Sequence, residues 1–159
     1  MKKIAILYTR YTPTIDAIKY QLADYEVDTL TSINDYDKYE LVVLCGYEGL
    51  YEGNAINCHH SLLPALDSNN PEKDAIIEGL KVTGITIYYT NPRKIIAQYP
   101  VFIKNTMHYE DLKQELDYLE QAIYPLVLSK ILKNEQFEIQ SLIVGKCDNN
   151  CGGCCGCNH

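Results

Sequence analysis

The chain has no tryptophan and only two phenylalanines in 159 residues. Its aromatic character rests on 14 tyrosines spread along the sequence, which implies half-buried rings with wet hydroxyls and points to no particular function. Positive charge is also scarce: 14 Lys and Arg against 21 Asp and Glu leave a net charge of −7. Phosphate backbones are held by clustered Lys and Arg, so no nucleic-acid partner is expected. Long apolar runs are missing too. Met1, Lys2 and Lys3 followed by Ile4–Tyr8 begin like a signal peptide, but Thr9 and Arg10 end the run too early. No segment approaches the length of a membrane span, so no membrane association is expected and the expected location is the cytoplasm. Finally, no glycine-rich turn follows the first apolar run, where a dinucleotide or phosphate site would have one; Thr9-Arg10-Tyr11-Thr12-Pro13 stands there instead.

What is present suits one globular domain. Hydrophobic residues make up 47% of the chain, and the length allows a core that buries roughly two-thirds of the unfolded surface. Residues 3–9 read as a buried strand. Thr12 and Pro13 form an N-cap followed by proline at the first helical position, opening a helix over 13–23 with Ile15, Ile18 and Leu22 on one face. Residues 25–30 alternate as a second strand, giving a β-α-β opening of a doubly wound sheet. The stretch 32–40 is polar and short. Residues 41–45 form the most hydrophobic strand, expected to be central. Gly46 opens a loop and offers a ligand close approach to the backbone.

Residues 54–56 read as a strand leading into Asn57, Cys58, His59, His60, Ser61, Leu62, Leu63 and Pro64. In open α/β sheets ligands bind beyond the carboxyl ends of strands. The i, i+2 spacing points the side chains of Asn57 and His59 to one face. An amide donor beside an imidazole can polarise a carbonyl and manage a proton. The plainer reading is a turn in which Asn57 bonds its own backbone and His59 is a satisfied buried imidazole.

Downstream, residues 71–79 read as a helix after the turn at 67–71. Residues 82–90 and 95–103 read as a hairpin. A long helix starts near Thr106, carries Leu112, Leu116, Leu119, Ile123, Val127 and Ile131 as a core stripe, and is kinked at Pro125. Residues 137–144 read as an edge strand.

The run Asn57-x-His59-x-Ser61-Leu62-Leu63-Pro64 resembles the signature of the folate-dependent formyltransferases, the family of glycinamide ribonucleotide and methionyl-tRNA formyltransferases. Residues 81–87, 95–98 and 122–127 resemble the same family. The resemblance implies an α/β, Rossmann-like domain over 1–144, with a mostly parallel central sheet flanked by helices, a β-hairpin and a long C-terminal helix. It implies formyl transfer from 10-formyltetrahydrofolate to a small-molecule amine, with Asn57 and His59 catalytic and Gly46, Ser61 and Leu63 contacting substrate or cofactor. A methionyl-tRNA enzyme is disfavoured by the acidic charge and the lack of a second domain, and a ribonucleotide acceptor by the altered first turn.

Relatives place an aspartate in the hairpin loop, near the histidine. Here residues 90–96 contain no carboxylate, which predicts impaired activity. Asp67 and Glu48 are the acids that other loops offer. His60 stands where relatives carry proline; it reads as a substitute base or, more commonly, an exposed loop histidine.

Residues 145–159 form a separate cysteine-rich tail holding Cys147, Cys151, Cys154, Cys155, Cys157 and His159. Such density favours metal ligation over disulfides in a cytoplasmic chain, with zinc or an iron–sulfur cluster as the expected occupant. The spacing matches no standard zinc finger or ferredoxin run, and a redox-labile tail taking adventitious metal is the competing reading. The rival to an active enzyme is thus a non-catalytic or repurposed member of the fold, whose tail binds a metal or cluster for a protein partner. Cys45 and Cys58 read as packing residues.

Overall fold

The computed structural model describes residues 2–35, 37–139 and 142. Among the described residues, six strands form one sheet in the order β2-β1-β3-β4-β5-β6. Strands β1 (Lys3–Leu7), β2 (Glu26–Leu30), β3 (Leu41–Leu44) and β4 (Ile56–His59) run parallel; β5 (Val82–Thr90) and β6 (Arg93–Phe102) add an antiparallel hairpin. Ile4–Leu7 and Val42–Leu44 are buried on both faces, as parallel strands demand.

Among the described residues, the helices that connect or follow the strands are α1 (Pro13–Gln21), α2 (Pro71–Ile77) and α3 (Tyr109–Leu132). Proline opens both α1 and α2, where a missing N–H costs nothing. At the start of α3, Asp111 accepts the His108 N–H at 2.9 Å. Pro125, where the sequence predicts a kink, lies inside α3, which is unbroken from Tyr109 to Leu132.

All three helices contribute to one core, formed with Ile4, Ile6, Val43, Cys45, Ile56, Ile85 and Ile87. The opposite face carries Ala5, Leu7, Val42, Leu44 and Ala55, and its cover is Leu30, Ile33, Tyr39, Tyr47 and Tyr51. No helical residue belongs to that second cluster among the described residues. The loop residues Ile33, Tyr39, Tyr47 and Tyr51 therefore act as a thin cover.

Two boundaries differ from the sequence reading. The fourth strand starts at Ile56 and contains Asn57 and His59, because pairing with β5 in the register Asn57↔Tyr88 and His59↔Thr86 extends it beyond the apolar residues. The edge strand expected over 137–144 is not formed by its described residues: Phe137 and Ile139 pack on the helical core outside any strand.

Candidate functional site

Alternation along β4 divides the cluster between two faces. Ile56 and Cys58 pack on the helical side, so Asn57 and His59 project toward the loop-covered side, beside Tyr88 of β5. Both are half-buried. Asn57 Oδ1 accepts the Cys58 N–H at 2.9 Å, and its Nδ2 donates to the Tyr88 hydroxyl at 3.3 Å. That orientation leaves the amide a second N–H.

His59 Nε2 lies 3.0 Å from the Leu66 carbonyl. A carbonyl only accepts, so Nε2 carries a proton, and in the neutral ring Nδ1 carries the lone pair. Leu66 has φ 50°, a left-handed conformation that costs a residue with a side chain roughly 1–2 kcal/mol. The bend before it is firmly tied. Thr86 Oγ1 donates to the Ser61 carbonyl at 2.6 Å and accepts the Leu63 N–H at 3.0 Å, while Gln98 Nε2 donates to the Leu63 carbonyl at 2.9 Å. Ser61 and Leu63 are themselves buried, and the Ser61 hydroxyl donates to the Ala65 carbonyl. Gly84 lets this bend lie on the sheet, since a Cβ there would meet the Tyr99 carbonyl at 2.0 Å and Leu62 at 2.7 Å.

Asp67 follows Leu66 and receives a forked ion pair from Arg93, at 2.7 Å and 3.3 Å. The Arg93 guanidinium also lies over the Tyr88 ring, 5.2 Å from its centroid. Hydrogen bonding to Arg93 holds the Asp67 carboxyl below its ordinary range against the opposing effect of burial, and the His59 ring adds in the same direction when it is protonated. Glu48, the other acid the sequence offered, instead pairs with Arg10 at 3.1 Å.

His60 corrects the sequence reading. It is neither exposed nor on the side of Asn57 and His59; alternation turns it to the helical face. There Nδ1 lies 2.5 Å from Glu72 of α2 and Nε2 lies 2.5 Å from Glu120 of α3. Burial pulls its pKa down, but hydrogen bonds and charge from Glu120 and Glu72 outweigh burial and raise it to about 10. A protonated imidazole held by two carboxylates is no general base at neutral pH.

Gly46 is also explained by the chain itself. It has φ +63°, and a Cβ there would lie 2.5 Å from the Arg10 carbonyl. Its own carbonyl accepts the N–H groups of Thr9 and Arg10 at 2.9 Å and 3.1 Å. The glycine lets two loops meet, so no ligand is needed to account for it.

Cys45 and Cys58 are packing residues as expected. Burial, then the Glu120 charge, pushes the Cys45 thiol up to about 12 and the Cys58 thiol well above its ordinary value. The tail residues Cys147, Cys151, Cys154, Cys155, Cys157 and His159, expected from the sequence as metal ligands, lie outside the described residues. Among the described residues, no group of three His, Cys, Asp or Glu side chains is arranged to hold a metal ion, and no helix is long and apolar enough to cross a membrane.

Sequence reasoning missed Tyr88 and Arg93. The strand alternation that places Tyr88 opposite Asn57 was present, but only the register identifies the pair.

Comparison with known proteins identifies the family. A family model described as formyl transferase matches residues 16–128. A phosphoribosylglycinamide formyltransferase of Bacillus subtilis is 36% identical over 107 residues, covering 58% of this chain and 54% of that protein. A methionyl-tRNA formyltransferase of Staphylococcus epidermidis is 27% identical over 135 residues, covering 74% of this chain and 44% of that one. The chain thus spans about half the length of these relatives. Among solved structures, a phosphoribosylglycinamide formyltransferase from Bacillus halodurans superposes with a TM-score of 0.66 at 26% identity, covering 82% of this chain and 95% of that chain.

Proposed function

Since this chain belongs to the formyl transferase family, we propose that it transfers a formyl group from 10-formyltetrahydrofolate to a small primary amine, with Asn57 and His59 as the catalytic pair. The observation that carries this reading is the complementary state of the two side chains on one face of β4. Asn57 retains a free amide N–H, and the Leu66 carbonyl takes the His59 Nε2–H, which leaves Nδ1 as the basic atom of the neutral ring.

That donor set fits a formyl carrier. The folate supplies an activated formyl carbon and a nitrogen leaving group. The Asn57 N–H stabilises negative charge developing on the formyl oxygen, an effect whose removal typically costs about 10²–10³ in rate. His59 Nδ1 takes the proton that the amine must lose and holds it for the leaving nitrogen. Leu66 supports both states of the ring, because its carbonyl accepts the Nε2–H throughout. Gly46, Ser61 and Leu63 serve this site indirectly, as the glycine contact and buried bend that fix the loops around it.

The acceptor we propose lacks a phosphate at the first β-α turn. Phosphates favour free N–H groups at a helix N-terminus. Here the Thr9 and Arg10 N–H groups are bonded to the Gly46 carbonyl, Pro13 has none, and Glu48 neutralises Arg10.

The test is calorimetric titration of the intact chain with a stable 10-formylfolate analogue, beside Asn57→Ala, followed by mass-spectrometric detection of formylated amines. Binding, with transfer abolished in His59→Ala, is the expected result. A folded chain that does not bind the analogue would overturn the reading.

A further inference from the structure

We propose that Asp67 and Arg93 are positioning residues that set the tautomer of His59, replacing from a neighbouring loop and from the first residue of β6 an acid that the hairpin turn does not carry. The proposal rests on the formyl-transfer reading for its catalytic consequence, but not for its structural content.

The argument starts from the turn between β5 and β6. Only Asn91 and Pro92 separate the strands, so no side chain from a longer loop can reach back over β4. Arg93, the first residue of β6, is the charged group this short turn delivers to the site. Its guanidinium grips both oxygens of Asp67 and lies over Tyr88, whose hydroxyl accepts the Asn57 amide. Through Asp67 the same guanidinium holds the residue adjacent to Leu66. A continuous set of contacts therefore runs from Asn57 through Tyr88, Arg93 and Asp67 to the Leu66 carbonyl, and from there to His59 Nε2.

This connection matters because of Leu66. Its carbonyl accepts from both His59 Nε2 and the Ser68 N–H, the latter at 2.9 Å, while its backbone sits in the left-handed region. A residue with a side chain leaves that region when nothing retains it. If the 66–68 turn relaxes, the Nε2 acceptor is lost, and the ring proton is free to occupy Nδ1, the atom needed as base. A forked arginine–carboxylate pair suits the task because its two parallel bonds fix direction as well as distance. As a source of stability the pair is weak, since both side chains are about half exposed, at 47% and 49%. Its consequence is therefore geometric. Asp67 also sets a negative charge near the ring when Nδ1 gains a proton, the service a carboxylate gives a histidine elsewhere.

The test is ¹⁵N NMR of the His59 imidazole in the full chain, comparing wild type with Arg93→Ala, Asp67→Asn and Arg93→Lys. The wild type is expected to show one tautomer, protonated at Nε2. Arg93→Ala and Asp67→Asn are expected to show mixed tautomers with the thermal midpoint little changed, and Arg93→Lys an intermediate state. Where turnover is measurable, kcat should fall roughly tenfold in Arg93→Ala with KM changed less than kcat. A single Nε2–H tautomer persisting in both Arg93→Ala and Asp67→Asn would overturn the proposal. Failure of the formyl-transfer reading would look different: no variant, nor the wild type, would turn over, while the tautomer shift would remain.

Discussion

The imidazole Nε2 of His60 lies 2.5 Å from the Oε2 of Glu120, across the interface between β4 and α3. With Glu72 on the other ring nitrogen, this makes a buried acid–imidazolium–acid bridge joining the sheet to two helices. The sign of its pH dependence follows from the shifts. His60 is raised from 6.5 to about 10, so its contribution is complete below pH 6.5 and is lost as pH rises through about 10. Glu72 is subject to an upward push from burial, outweighed by His60, and ends below 4.5. Its contribution is present above pH 4.5 and is lost as pH falls through the lowered value. Urea midpoints should therefore plateau between roughly pH 4.5 and 6.5 and decline on the alkaline side. A flat alkaline profile would show His60 to be uncharged.

Removing only the imidazole should be worse than removing the whole bridge. His60→Leu leaves two carboxylates facing each other with little solvent, and breaking such a set by one member costs about 3–5 kcal/mol. Replacing His60 by Leu together with Glu72→Gln and Glu120→Gln should recover most of that loss, because no uncompensated charge then remains. Denaturant unfolding of both variants checks the order; equal destabilisation would contradict it.

A second cross-layer tie predicts a local effect. Strands β3 and β4 share a single registered pair, Val43↔Ile56, and the buried Tyr124 hydroxyl lies 3.0 Å from the Leu44 carbonyl and 2.8 Å from that of Ile56. Tyr124→Phe leaves those acceptors without this donor while keeping the ring. The expected cost is about 1–3 kcal/mol, with amide exchange accelerated in β3 and β4 more than in β1. Uniform acceleration across the sheet would mean that the hydroxyl does not hold this junction.

How far the sequence carried these conclusions depends on the range of the interaction. The strands and helices were legible from local periodicity and from the prolines at positions 13 and 71, and Asn57 and His59 were correctly assigned to one face by alternation alone. His60 was misjudged because its partners, Glu72 and Glu120, lie 12 and 60 residues away. Nothing local distinguishes a loop imidazole from one held between two helices. Asp67 could be offered as an acid but not located, since its position depends on Arg93 and on a hairpin register with a shift at Ile87/Tyr88. The strand expected after residue 137 failed for a related reason: an apolar alternation packs equally well on a helical core without pairing.

The two internal cysteines should resist modification in the native chain. Both thiols are pushed upward, Cys45 to about 12, chiefly by burial, and only the thiolate reacts. Alkylation at pH 8 followed by peptide mapping should leave Cys45 and Cys58 unlabelled until denaturant is added. Native labelling of Cys58 would show that β4 opens readily beneath the site.

Gly46 and Gly79 allow backbone strain to be separated from steric conflict. Both have positive φ, +63° and +68°, but a Cβ at Gly79 meets nothing within 4 Å, whereas at Gly46 it falls 2.5 Å from the Arg10 carbonyl. Gly79→Ala should therefore cost only the left-handed penalty, about 1–2 kcal/mol. Gly46→Ala must add a clash with main chain that cannot rotate away, and in moving it would break the bonds from Thr9 and Arg10 to the Gly46 carbonyl. Freed N–H groups in the loop leading into a helix N-terminus favour an anion, so phosphate should protect Gly46→Ala against thermal unfolding more than it protects the wild type. Equal destabilisation by the two substitutions, with no phosphate response in either, would show that the first turn does not depend on the close approach of Gly46.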